Sequence, residues 1–590
     1  MAHLPEFASS KDLFYGRDPY LDAWFLHFMT ENNLEHSVDP GKNASPEQIR
    51  FMVVLEENQF FAPCSDWMLE NLLRTEMTSE LLTEYRKQWR HQAGLLKNHI
   101  SDKYTRRKVV ALSRHKFKRV LTSPFLIPSR LNKHLNTIFL TQSKTEDPKQ
   151  AEKLRSNRRV KEFIDSKGLE RILNACPGSS MGCSRIQDLR WELDLMELRR
   201  LFCLSTHQPI WDVKPFKPDW NSLEDYTNAQ LPEMDRTLTE LLGPDSAGRK
   251  RILYLPEQAG GILFDILIVR ALVRLGHRVV MALKEGYYFD APTFWDREQD
   301  PVLAKALEGA YFLDDNMVSK NRLLQIQREN PFLVISDGTR ERLNFYRTSV
   351  TFARAWKESN LIIAKGEGNF RRLILTSHEF TRNVISFFRD DSGELRFYFK
   401  PKSSKASYFT ENQILAKAEK IIRKMRRARE QGYRVMFYSA VIGSIPGQTR
   451  EAIRILNRHV EYLRERMEKT FIINPAEHFE MGLDADDLMF MWEKVQRSGL
   501  IDVWRFQSVA DIEKSYELLG ERVPPVWTGK DATYSTGCTK EMQIALEMQQ
   551  KHPELQIIGP SREKFFRRRE YGVGKFFDAT IDPVDRVHRI

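Results

Sequence analysis

Apolar and polar residues alternate along this chain with two distinct rhythms. Up to about residue 245 the apolar positions recur at three- and four-residue spacing. Amphipathic helices are therefore expected over 46–57, 65–74, 79–97 and 186–202, separated by breaks rich in Pro, Asp and Asn. Strand-like runs are scarce there. The stretch 207–228, rich in Pro, Trp and Asp, reads as a loop or linker, and 243–250 (GPDSAGRK) reads as a boundary dense in turn formers.

From residue 251 the rhythm changes. Short apolar runs at 251–255, 278–283, 332–336 and 360–364 alternate with amphipathic stretches such as 262–275, and Gly276 stands where a helix should stop. This alternation predicts an α/β fold with a doubly wound, mainly parallel sheet and helices on both faces. Two further strands, 384–388 and 395–399, flank Asp390-Asp391-Ser392-Gly393, which reads as a hairpin turn. Beyond about residue 405 a basic helix over 411–431 opens a second α/β series. Strands follow at 434–440, 470–474 and 503–506, with helices to about 466, over 485–498 and over 509–519, and an irregular basic tail from Lys564. Three regions are expected: a mostly helical cap over 1–245, an α/β core over 246–404, and a C-terminal α/β extension over 405–590 that packs on the core or continues it.

Composition changes this picture little. A formal charge of +11 from 91 basic and 80 acidic side chains favours anionic ligands without singling out nucleic acid. Basic clusters at 106–118, 153–161, 420–429 and 562–569 read either as phosphate-binding stripes or as solvated helix faces. Few aromatics interleave them, so nucleic-acid association ranks last among the functions considered. The five cysteines, at 64, 176, 183, 203 and 538, form no CxxC pair and suggest reduced thiols. With no secretory signal and no long apolar span, a soluble cytoplasmic protein with no membrane partner is expected.

In a doubly wound sheet, ligands bind beyond the carboxyl ends of the strands. The residues after the strands in question are Glu257-Gln258-Ala259-Gly260-Gly261, then Lys284 to Asp290, then Ser336-Asp337-Gly338, then Lys365-Gly366-Glu367-Gly368-Asn369. Oxygen-bearing side chains, a lysine and glycines thus recur at successive strand tips. That chemistry suits a phosphate ester on a hard divalent cation. Glu257, Gln258 and Asp290 can supply oxygens to Mg²⁺ or a similar ion, and Lys365 can neutralise a phosphoryl oxygen. The glycines can bring backbone N–H groups close to phosphate. Each residue also has a plainer reading: Asp290 as a helix cap, Glu257 as a solvated turn residue, Gln258 as a backbone partner and Lys365 as a surface lysine. Asp265 and Asp337 read as structural rather than catalytic. Gly443 to Thr449 reads mainly as a tight strand-to-helix turn, and Cys538, near a helix start, as a structural thiol.

The region 250–402 resembles the damage-control phosphatases, metal-dependent enzymes related to a protein once described as an acidic-residue methyltransferase. Their pattern is a strand ending in Asp-Asn-Ala-Gly-Glu with Phe-Asp shortly after, a later Asp followed by Thr, then Ser-x-Gly, then Lys-Gly-x-Gly-Asn. The corresponding stretches are Glu257 to Gly261 with Phe264-Asp265, Phe289-Asp290 with Thr293, Ser336-Asp337-Gly338, and Lys365 to Phe370. The resemblance implies Glu257, Gln258 and Asp290 as metal ligands and Asp290 and Lys365 as the catalytic pair. It places Lys365, Gly366, Gly368, Asn369 and Ser336 around the substrate. It also implies a divalent metal cofactor (Mg, Mn, Co or Ni) and a small phosphorylated metabolite, such as a sugar phosphate, as substrate. Four departures stand out. Glu257 and Gln258 are each one methylene longer than the family's Asp and Asn, Gly261 replaces a Glu, and Phe289 stands before Asp290 where the family has Asn or Ser. A misplacement of about 1 Å in such a site costs on the order of 100-fold in rate. The expectation is therefore a phosphatase-like protein, with a catalytically impaired phosphate-binding or scaffold protein on the same fold as the alternative.

Overall fold

The computed structural model describes residues 9–34, 43–74, 76–174, 186–212, 219–229, 231–246, 248–406, 408–445, 447–478, 480 and 482–571. Cys176 and Cys183, Pro446 in the 443–449 turn, and the tail after residue 571 lie outside the described residues. The chain divides into two compact units, Met1–Ser37 with Lys42–Ala406, and Ser407–Ile590.

The first unit is built on a seven-stranded sheet in the order β3-β4-β2-β1-β5-β6-β7. The strands are β1 (Arg251–Leu255), β2 (Arg278–Leu283), β3 (Tyr311–Leu313), β4 (Phe332–Ser336), β5 (Leu361–Lys365), β6 (Asn383–Arg389) and β7 (Leu395–Lys400). All pairings are parallel except β6 with β7. That pair is the hairpin expected around Asp390–Gly393, where Gly393 takes a φ of 87°.

The period of two along each strand assigns side chains to two layers. Ile252 and Tyr254 of β1, Val279 and Met281 of β2, and Ile363 of β5 enter one core with the helix Gly261–Arg274. Leu253, Leu255, Val280, Ile335 and Ile362 enter the opposite core with Phe352 and Trp356 of the helix Val350–Glu358. Both faces are covered, which is why these strands read as unbroken apolar runs.

The expected helical region is present. Asp18, Ser65, Thr78 and Asp102 each cap a helix by accepting a backbone N–H, starting Pro19–Asn32, Asp66–Leu73, Ser79–His99 and Lys103–Thr122. Two expectations are corrected. The helix expected over 46–57 ends at Ile49, because the chain then turns extended and Val53 bridges Phe380. The loop expected over 207–228 holds the helices Pro209–Asp212 and Trp220–Thr227, the second capped by Asp219. Their apolar residues Ile210, Trp211 and Leu223 are buried in the first core despite the polar composition around them.

The second unit carries a parallel sheet in the order β11-β10-β8-β9, made of β8 (Arg434–Ser439), β9 (Thr470–Ile473), β10 (Val503–Phe506) and β11 (Gln556–Ile558). β3 and β11, three residues each, are too short to show a periodicity in sequence. The tail expected to be irregular from Lys564 begins as the helix Arg562–Tyr571. Cys538, with its thiol 3.3 Å from the Ala440 carbonyl oxygen, is a buried structural cysteine. Among the described residues no helix is long and apolar enough to cross a membrane.

Candidate active site

The chain order of the first sheet reverses at β1. From β1 it runs to β2, skips to β3 at the edge, steps back to β4 between β3 and β2, then crosses to place β5 on the other side of β1. The crevice outside the tips of β1 and β5 is therefore the topological switch point, where ligands bind in such sheets.

Glu257 and Gly366 meet in that crevice. Gly366 adopts a φ of 100°, and a Cβ there would collide with the Glu257 carboxyl group. Glycine is required at 366 both for its backbone conformation and for the space the carboxylate takes. Burial raises the Glu257 carboxyl above its ordinary range, and the nearby positive charge of Lys365 opposes that rise.

Beneath the crevice lies a closed polar triad. Lys365 Nζ donates to both Asp265 oxygens, at 2.9 and 2.8 Å, and Tyr254 donates its hydroxyl to Asp265 Oδ1 at 2.8 Å. All three are fully buried. A Cβ on Gly261 would stand 2.7 Å from Lys365 Nζ and 2.8 Å from the Ser205 carbonyl oxygen. No side chain fits where the damage-control pattern has Glu. Asn369 is tied to the same group, donating from Nδ2 to the Lys365 carbonyl at 2.8 Å.

The other residues singled out in the sequence have partners of their own. The loops bearing Gln258 and Asp290 are joined through backbone, Ala259 N–H donating to the Asp290 carbonyl at 2.7 Å. The Asp290 side chain, 54% exposed, has Lys149 Nζ at 3.8 Å. Gln258 Oε1 accepts from Gln208 Nε2 at 3.2 Å. Ser336 donates to Glu285 and accepts the Gly338 N–H at 3.0 Å. Gly368 lies against Arg342, whose Nε would be 3.4 Å from a Cβ there. Asp337 accepts from Lys284 Nζ at 2.6 Å and from the Thr339 hydroxyl at 2.9 Å. Asp265 and Asp337, read from sequence as structural, are thus both held in internal ion pairs.

A small cavity of about 30 Å³ lies at the tips of β1, β2, β4 and β5, lined by Pro256, Lys284, Asp337 and Asn369 among others. The structure brings Glu257, Lys365, Gly366 and Asn369 together and places Ser336 on another strand tip. By donor type Glu257, Gln258 and Asp290 suit a hard divalent cation, and their loops are adjacent. In this arrangement their side chains are directed to Gly366, Gln208 and Lys149 respectively, so ligating one ion requires them to turn from those partners. Among the described residues no cluster of three His, Cys, Asp or Glu stands ready to hold a metal.

Sequence reasoning missed a group of arginines beside these tips. Arg342 follows the Ser336-Asp337-Gly338 turn, and Arg371 and Arg372 directly follow Asn369-Phe370. Basic residues immediately after two strand-tip motifs were the available signal. Their counterparts on the helical region, Trp67 and Ser129, carried none.

Residues 224–389, the stretch that holds β1 to β6, match the family model of the damage-control phosphatase ARMT1-like domain. Among solved structures, a DUF89 family protein from Pyrococcus horikoshii is similar at 18% identity. That match covers 54% of this chain and 92% of the other, with a TM-score of 0.37. No curated protein matches the chain.

Proposed function

We propose that the first unit acts on small phosphorylated metabolites, sugar phosphates among them, as a metal-dependent phosphatase of the damage-control type. The observation that carries this reading is the meeting of the Glu257 carboxylate with Gly366 at the switch point of a sheet that lies within the matching stretch. A divalent cation (Mg, Mn, Co or Ni) held by Glu257, Gln258 and Asp290 would polarise a phosphoryl oxygen and lower the pKa of a bound water.

The chain's own residues prepare the crevice. The charge of Lys365, anchored on Asp265, favours the ionised form of Glu257 against the effect of burial. Gly366 and Gly368 keep the β5 tip free of side chains, and Asn369 fixes the turn that carries them. The adjacent arginines add positive potential near an anionic substrate.

One set of observations favours a second reading, a phosphate-ligand-binding or scaffold protein that does not turn over. Lys365 is fully engaged by Asp265, and the three oxygen donors have separate partners. Phosphate release from a panel of sugar phosphates, measured with each of the four cations, separates the readings. Turnover that Asp290→Ala abolishes supports the enzyme. Turnover unchanged in that variant removes this site, and no turnover with any cation leaves the binding protein.

A further inference from the structure

The positive charge of this chain is not spread over it. Residues 85–123 hold twelve Lys or Arg and one acid, Asp102, an excess of eleven. The rest of the chain has 79 basic and 79 acidic side chains and is neutral. The whole formal charge of +11 therefore belongs to one stretch of 39 residues.

That stretch is a helical hairpin, most of Ser79–His99 followed by Lys103–Thr122. Gln92 Nε2 donates to the Ser113 hydroxyl at 3.2 Å, and the Trp89 and Phe117 rings stand 5.1 Å apart, so the two helices hold each other. Val109, Ser113 and Val120 form the buried stripe of the second helix. Its other positions face outward, and that helix contains no Asp or Glu. Of the hairpin's cations only Lys87, with Glu84, and Arg119, with Glu31, form ion pairs among the described residues.

The exposed cations are ordered. At about 100° per residue, Lys103, Arg107, Arg114 and Lys118 fall on one shoulder of the second helix. Lys108, His115 and Arg119 fall on the other, about 110° away, with Tyr104 and Ala111 between the rows. All of these positions are exposed. On the first helix Arg86, Arg90 and Lys97 share a second exposed line. Two rows of cations astride a helix match the two phosphate rows that border a B-form major groove, which is about 12 Å wide and admits a helix about 10–12 Å across.

Other polyanions fit less well. A bilayer takes up a helix by its apolar face, and here that face is turned inward, with exposed Val110 and Leu112 on opposite edges. A single strand needs several stacking platforms, and Tyr104 is the one aromatic between the rows. The scarcity of aromatics along the basic runs thus argues against single strands and not against a duplex. The major groove of duplex RNA is too narrow to admit the helix.

We propose that this hairpin binds double-stranded DNA through its phosphates, with the helix Lys103–Thr122 in the major groove and one row of cations toward each strand. The surface is independent of the strand-tip crevice and of its hydrolytic reading.

The test is fluorescence anisotropy of a labelled DNA duplex against the full chain, in EDTA so that no metal-dependent step takes part. The duplex is expected to bind with a Kd of about 1 µM or below at about 50 mM salt. Six phosphate contacts should give a slope of about −5 for log affinity against log salt. The triple variant Arg107→Ser, Arg114→Ser, Lys118→Ser changes only exposed side chains. It should weaken binding more than about tenfold and make the slope shallower by about 3. A control triple variant, Lys420→Ser, Lys424→Ser, Arg427→Ser, removes the same charge from an exposed helix face of the second unit and should bind as the unaltered chain does. No binding at about 100 µM chain overturns the proposal, as does equal loss in the two triple variants. Tighter binding to the single strand, to duplex RNA or to phosphatidylserine vesicles overturns it as well and assigns the hairpin to that partner.

Discussion

Lys365 and Asp265 form a closed ion pair beneath the strand-tip crevice, with both carboxylate oxygens bonded to one ammonium and neither side chain exposed. The lysine of the Lys-Gly-x-Gly-Asn stretch thus serves the interior as well as the crevice. Removing one partner of such a pair leaves a buried charge uncompensated, at about 3–5 kcal/mol. Lys365→Met and Asp265→Leu should each lower the stability of the first unit by that order. The double variant should lose less than the sum of the two. Urea unfolding followed by a probe in the first unit measures this, and strictly additive losses would disprove the coupling.

Gly366→Ala combines two penalties. The positive φ costs about 1–3 kcal/mol for a residue with a Cβ, and the methyl group displaces the Glu257 carboxylate. Pairing it with Glu257→Ala should restore the steric part and leave the backbone part. A double variant as unstable as Gly366→Ala alone would show that the carboxylate is not the neighbour that matters.

Metal binding should register as stability before it registers as activity. At about 100 times its dissociation constant, manganese should stabilise the first unit by about 2.7 kcal/mol. Asp290→Ala and Glu257→Ala should each shrink that gain. A manganese effect on melting temperature that persists undiminished in both variants places the cation elsewhere.

The second unit carries its own pH dependence. Burial pushes the Glu541 carboxyl up to about 7, against the bonds it accepts from Ser439, Gln496 and Cys538. A raised carboxyl binds its proton more tightly folded than unfolded. Stability is therefore full below the ordinary carboxylate pKa and falls as pH rises from about 4.5 towards 7. The loss is on the order of 3 kcal/mol. Glu541→Gln should flatten the curve for this unit across that window. An unchanged slope in the variant would assign the dependence to other groups.

Much of the architecture was legible along the chain. The unbroken apolar runs of β1, β2, β4 and β5 announced strands buried on both faces, and Asp390 to Gly393 announced the one antiparallel pair. The misreadings lie where composition and packing disagree. Trp211 and Leu223 sit among Pro and Asp yet are buried by the sheet, and the helix begun at Pro46 stops at Ile49 where Val53 finds Phe380. The strand tips, and hence the region of the candidate site, could be located from sequence because a parallel sheet delivers its loops to one edge.

Side-chain direction was not legible in the same way. Sequence pattern placed Glu257, Lys365 and Asn369 at strand ends on one edge of a parallel sheet, because local apolar runs mark the strands and their following loops; that β1 and β5 are neighbours came only from the tertiary structure. Only the tertiary structure decided that Lys365 turns inward to Asp265, that Glu257 lies on Gly366, and that Arg342 and Arg372 gather around one cavity with Ser129. Those choices depend on charge compensation and free volume among residues up to hundreds of positions apart, which no local pattern encodes.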